Sequence, residues 1–300
     1  MTEKGFGFAY TNTRVRVMKS KLIDSNEYPK LLKMGLDQIA RYLQETDYKK
    51  EINQLGADYE GADLIEYAIN LNLANSFKKI LGFSLKDSRT TINFFLKKYD
   101  IWNIKTVLRG KQAGEIAEEI IQDLIPAGEL SEEFLIGVIK KSSSVKEAIE
   151  FFKKTEFYET LKMHSENLTE LEDELDLKYY KELIDSTEGK VQKLIKQKAL
   201  YLDALNEARA KETKIEMKRI LPLSKRGKKI MVADIKKDRI EFRKDIAVKG
   251  KKMVHEFKRN TSPVIGYFVA KENEIDNLRI ISRGKHSGLS QELIEKQLVF

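Results

Sequence analysis

Asn103-Ile-Lys-Thr-Val-Leu-Arg-Gly-Lys-Gln-Ala-Gly114 and Asn277-Leu-Arg-Ile-Ile-Ser-Arg-Gly-Lys-His-Ser-Gly288 are two copies of one pattern. Both open on Asn, place a basic residue two positions on, continue through Arg-Gly-Lys and close on Gly. Each is followed by an acidic amphipathic stretch, Glu115–Leu124 and Gln291–Leu298. Internal repetition of this kind is the signature of an architecture built from stacked supersecondary units. A weaker copy, Arg14-Val-Arg-Val-Met-Lys-Ser-Lys21, aligns Arg16 with Lys105 and Arg279. The step from 16 to 105 is 89 residues, and the step from 105 to 279 is 174, twice 87. That spacing predicts a further copy near residue 192, where Lys190-Val-Gln-Lys-Leu-Ile-Lys-Gln-Lys198 keeps the apolar pair but lacks the Asn and Gly.

Four markers enclose three units of about 90 residues, expected at 1–98, 99–187 and 188–300. The last helix carries the signature that opens the second unit. If rotation relates the units, that helix packs beside the first and closes the body.

The units read as helical. Tyr28, Leu31, Leu32, Leu36, Ile39 and Leu43 recur at the spacing of one helix face, as do Leu64, Ile65, Ala68, Ile69 and Leu73. Ser84–Phe95, Ile101–Leu108 and Val264–Ile281 continue the period. Pro126-Ala127-Gly128 is a helix stop and turn, and Ser131 and Ser144 (or Ser143) stand as N-caps. Leu168, Leu171 and Leu175 make an amphipathic helix of the acidic run Glu166–Asp176. Lys190–Ile220 reads as one long helix or two, Pro222–Lys229 as a turn, and Ile230–Ile246 as helix or short strand. With only four prolines and 34% charged residues, the fold class expected is all-α.

Composition excludes several chemistries. The chain has no cysteine, so disulfides, thiolate metal sites and cysteine nucleophiles are out, which fits a reducing compartment. No apolar run approaches the ~18–20 residues that cross a bilayer, and the first residues contain no signal-peptide core. His164, His255 and His286 are isolated from one another, without metal-ligand spacing. No P-loop pattern occurs, and Gly5-Phe-Gly7 does not sit at a strand-to-helix turn. Gly110-Lys111 and Gly284-Lys285 each follow an apolar helical run, so each glycine ends its helix or admits close backbone approach. No cofactor, metal or catalytic constellation is expected, and the chain reads as a non-enzyme.

Charge is unevenly placed. Lys190–Arg259 holds 23 basic and 9 acidic residues, a net +14 in a chain of +8, which leaves −6 elsewhere. Such a field recruits an acidic partner, nucleic acid or an anionic surface, or is simply a solvated lysine-rich face. Lys105 and Arg109 lie four apart on one helix face, as do Arg279 and Arg283. They form either a basic ring around a common axis or salt bridges with neighbouring carboxylates.

Three stretches carry a family resemblance: Tyr10–Leu22, Tyr99–Gly110 and Pro263–Leu289. In sequence and order they resemble the C-subunit family of archaeal and bacterial A/V-type ATP synthases, which is related to the d-subunit of vacuolar ATPases. Lys190–Arg259 matches least. The resemblance implies three pseudo-symmetric helical domains arranged as a funnel. It also implies a peripheral position on the cytoplasmic side of a membrane. The partners implied are the central-stalk subunits and the membrane proteolipid rotor ring, with membrane contact only through the ring. Torque would pass between them for proton- or sodium-driven ATP synthesis or hydrolysis. Arg16, Lys105, Arg109, Arg279 and Arg283 would line the stalk socket or buttress it. The alternative is a basic all-helical nucleic-acid-binding protein acting through Lys190–Arg259; few aromatics (Tyr201, Phe242, Phe257) and no reader motif support it.

Overall fold

A computed structural model describes residues 3–213, 232–257 and 260–300. Among these residues every regular element is a helix. In chain order they are α1 (Glu3–Lys19), α2 (Tyr28–Lys33), α3 (Leu36–Gln44), α4 (Lys49–Leu55), α5 (Gly61–Phe83), α6 (Lys86–Ala113), α7 (Ala117–Gln122) and α8 (Glu132–Lys141). There follow α9 (Val145–Phe151), α10 (Tyr158–Met163), α11 (Leu168–Asp185), α12 (Gly189–Thr213), α13 (Val232–Val254), α14 (Ser262–His286) and α15 (Gln291–Glu295).

The all-α expectation holds. Ser84–Phe95 and Ile101–Leu108 merge into α6, because nothing between them breaks a helix. Ile230–Ile246, ambiguous in sequence, is helical from Val232 onward. Lys190–Ile220 is one helix as far as Thr213; the turn at Pro222–Lys229 and part of the basic segment lie outside the described residues. The Ser131 and Ser144 caps form, accepting from the amides of Phe134 and Glu147. Asn167 caps α11 in the same way.

The chain forms two compact units, 1–92 with 239–300, and 93–238. In the first unit, α5 is the central helix. It buries residues all round its circumference, from Ile65 and Ala68 to Ala74 and Phe77, and α14, α4, α3 and α1 surround it. The rings of Phe77 and Phe268 meet at 4.3 Å, fixing α14 against α5. The C-terminal repeat helix therefore packs on N-terminal helices, α1 among them. Each fully buried Leu, Ile or Phe in such a core contributes about 1.5–3 kcal/mol relative to exposure. Where α13 and α14 cross, Gly250 faces Gly266; a Cβ on Gly266 would fall 2.7 Å from the Gly250 carbonyl oxygen, so the backbones touch.

In the second unit the latter part of α6 is covered by α7, and α8 to α12 complete the body around Leu135, Phe152, Leu161, Leu171 and Leu194. α11 presents Leu171, Leu175, Tyr179 and Leu183, one apolar face at three- and four-residue spacing.

Candidate functional site

The two strong repeat segments occupy α6 and α14, and their side chains make the same contacts in the two units. Asn103, fully buried, accepts from the amide of Ile125 (2.8 Å) and donates to its carbonyl (2.9 Å). Asn277, also fully buried, does the same with Val299, at 3.1 and 2.6 Å. Each asparagine thus pins the extended segment that follows the short helix after it. Gly110 does not end its helix. A Cβ there would lie 2.5 Å from Ile120, and one on Gly284 would lie 2.7 Å from Ile294. Both glycines admit the isoleucine of the next helix, ten residues on. The helices end at Gly114 and Gly288, with φ of +74° and +69°, where a left-handed residue is needed. Lys111 and Lys285 then donate to the carbonyls of Ile139 and Leu32, at 2.6 and 2.8 Å. Burial lowers the Lys285 pKa.

The basic pairs meet carboxylates. Lys105 reaches Asp176 at 2.6 Å, and Arg109 makes a two-pronged pair with Glu172, both partners on α11. On α14, Arg283 grips Glu66 with two bonds of 2.7 Å, while Arg279 shares Glu66 and also reaches Asn70. Glu66 and Asn70 are four apart on α5, as Glu172 and Asp176 are on α11. The Arg109 pKa is raised, first by its hydrogen bonds to Glu172. Arg109 and Arg283 remain 60% and 64% exposed despite their pairing. Arg16 behaves differently. Its guanidinium donates to the carbonyls of Val254 and Glu256 and lies over the Phe257 ring, so it closes the C-terminal end of α13.

A second layer of charge, not marked by the spacing of the basic pairs, lies eight residues earlier on each helix. Lys271 and Glu274 form a buried pair at 2.8 Å, and Tyr48 donates to Glu274 at 2.6 Å. Glu274 also accepts from the amide of Ile23. Burial first, then the Glu274 charge, pushes the Tyr48 hydroxyl well above its usual pKa. In α6 the corresponding residues are Lys97 and Asp100. Lys97 pairs with Glu156 and Glu182. Asp100 accepts from the amides of Glu129 (2.9 Å) and Leu130 (2.8 Å). Burial raises the Asp100 pKa to about 6, against the two amide donors. A sequence signal for this layer exists: Lys97-Lys-Tyr-Asp100-Ile-Trp-Asn103 and Lys271-Glu-Asn-Glu274-Ile-Asp-Asn277 share Lys, an acid three on, then Ile and Asn.

The correspondence extends beyond these helices. Ile23, Asp24 and Leu32 play the parts of Leu130, Ser131 and Ile139, at a constant offset of 107 residues. Thr46 and Thr155 each bond back to the carbonyl three residues earlier, Leu43 and Phe152. Thus α14, α15 and α2 to α5 make one module, and α6 to α11 another. The first is assembled from both ends of the described sequence, the second from one continuous stretch.

The class defined by these features is a repeated helical scaffold whose long helices are braced on one face and pinned by buried asparagines. No group of His, Asp and Glu able to hold a metal occurs among the described residues. A model of the family described as "ATP synthase (C/AC39) subunit" matches residues 11–206 and 192–297. The C-subunit of the A-type ATP synthase of Methanosarcina mazei is 36% identical over 97% of this chain and 92% of its own length. Its counterpart in Archaeoglobus fulgidus is 31% identical over 97% and 96%, and that of Haloferax volcanii 29% over 99% and 99%. The chain belongs to the ATP synthase (C/AC39) subunit family.

Proposed function

We propose that this chain is the central-stalk coupling subunit of a rotary A/V-type ATP synthase or ATPase. It would seat on the membrane proteolipid rotor ring, receive the central stalk and carry torque between them without catalysing a reaction itself. The observation that carries the reading is the repeated brace: Arg109 on Glu172 and Arg283 on Glu66, each with its buried asparagine pin. A torque-bearing part has to resist bending, and long helices tied to a neighbour at several points along one face do so. Membership of the family, with relatives named as ATP synthase subunits, supports the same assignment.

In this reading the chain is three units, 1–98, 99–187 and 188–300, arranged as a funnel. Arg16, Lys105 and Arg279 buttress the walls, and the exposed edges of Arg109 and Arg283 meet the stalk. No helix among the described residues is long and apolar enough to cross a membrane. The proposed position is peripheral, on the cytoplasmic side, with membrane contact through the ring.

The test is a pull-down from solubilised membranes with the tagged chain. Recovery of both rotor-ring proteolipids and stalk subunits is expected. Recovery of neither in several detergents, with the chain still folded, overturns the reading; retention of nucleic acid at physiological salt would point to the rival function.

A further inference from the structure

We propose that the first compact unit carries a binding pocket for a phosphate-bearing amphiphile, held by Lys19, Lys244 and Lys251. A cavity of about 400 Å³ opens in this unit, and these three lysines line it. None of them makes an ion pair or a side-chain hydrogen bond among the described residues. Two carboxylates share the lining. Glu274 is neutralised by Lys271 and saturated by Tyr48 and Ile23, and Asp24 is engaged with the amide of Asn26. The balance is positive charge without an internal partner.

Comparison with the second unit supports a site rather than a packing accident. Ile23, Glu274 and Val299 on the cavity wall correspond to Leu130, Asp100 and Ile125. In the second unit the chain bridges this place through residues 126–129. Gly128 there lies so close to Asp100 that a Cβ would fall 2.3 Å from the carboxylate. In the first unit the chain enters Ile23 from α1, not from Val299, and the space over Glu274 stays open.

The lining names the ligand class. Lysine ammonium groups are compact point charges that bind phosphate, and the hydroxyl of Ser25 adds a further donor. Between Lys244 and Lys251 on α13 sits Val248, 49% exposed, and across the cavity is Phe300, 58% exposed and stacked on Tyr28. Exposed apolar side chains beside unpaired cations suit a ligand with one anionic and one apolar end, and a volume near 400 Å³ is in the range of small-ligand pockets. Such a ligand is either a lipid headgroup region or a soluble phosphate ester.

The proposal is independent of the coupling function and is tested on the full chain alone. Calorimetry with dihexanoyl phosphatidate should give saturable binding at one site per chain, with dihexanoyl phosphatidylcholine silent. Lys244→Glu with Lys251→Glu should weaken it about a hundredfold, and Lys19→Gln about tenfold, since each charge-assisted bond contributes about one decade. Lys252→Glu, on α13 but outside the lining, should change it less than about twofold, because screened surface charge acts weakly at that range. Flotation with equimolar phosphatidylglycerol–phosphatidylcholine vesicles assigns the site to a membrane lipid. Binding of dihexanoyl phosphatidate without flotation assigns it to a soluble ester; both outcomes support the pocket. The proposal is overturned if phosphatidate does not bind saturably at millimolar concentration. It is equally overturned if Lys252→Glu matches the double variant, or if an acidic peptide displaces phosphatidate with tighter affinity.

Discussion

Asp100 is the residue with the most chemistry to spare. Its carboxylate closes a turn by accepting from two backbone amides, yet burial raises its pKa from 3.8 to about 6. A carboxyl whose folded pKa lies above its unfolded value binds its proton more tightly in the fold. Its contribution to stability is full below about pH 4 and is lost as pH rises through about 6, a swing of at most about 3 kcal/mol. Carboxyl-carbon NMR should therefore give Asp100 a midpoint near 6, and Asp100→Asn should remove the slope of unfolding free energy between pH 4 and 6. A midpoint near the ordinary 3.8 contradicts the burial argument. The sequence marks this residue only through the match of Lys97–Asn103 to Lys271–Asn277, which gives no hint of what the carboxylate contacts. By itself, an aspartate three positions before an asparagine on a helix signals nothing until the turn at Glu129 and Leu130 folds back over it.

At the scale of elements, what was legible was periodicity and repetition. Apolar spacing located many of the helices but not α1, α4 or α10, and the twelve-residue match between Asn103–Gly114 and Asn277–Gly288 gave two helices that turn out to be braced alike. The partners of those braces were not legible. Glu66 is 213 residues from Arg279, and neither charge spacing nor helix pattern encodes a contact at that separation. The role of Gly110 and Gly284 was half legible. Close approach was one of two readings, and the structure selects it, because the terminating glycines are Gly114 and Gly288.

That reading predicts a pair of matched substitutions. Gly284→Ala gains about 1 kcal/mol of helix propensity but forces Ile294 aside at a 2.7 Å contact, which costs about 1–3 kcal/mol. The net effect on chemical denaturation should be a loss of about 1 kcal/mol. In an Ile294→Ala background the same change should become neutral or stabilising, and Gly110→Ala with Ile120→Ala should repeat the pattern. Additive effects in the double variants would mean that the glycines do not seat those isoleucines.

At the scale of the whole molecule, the N-terminal helices and the C-terminal repeat helix build one module together. Lys271, Glu274 and Tyr48 hold it with a buried ionic knot, and Arg279 and Arg283 hold it at the surface. The sequence spacing anticipated that the last helix would return to the first, and in the structure α14 lies against α1 and α5. Its buried charge was marked only by the match between Lys97–Asn103 and Lys271–Asn277, because Lys and Glu three apart read on their own as an ordinary exposed pair. A module tied in this way across its seam suits the proposed coupling function.

The central claim is that this chain mechanically joins the rotor ring to the stalk. It is tested most directly by ATP-driven ion pumping in vesicles containing the complex, prepared without the chain and then resupplied with it. The account predicts that complexes lacking the chain hydrolyse ATP without pumping and that adding it restores pumping; pumping at full rate in its absence would contradict the account.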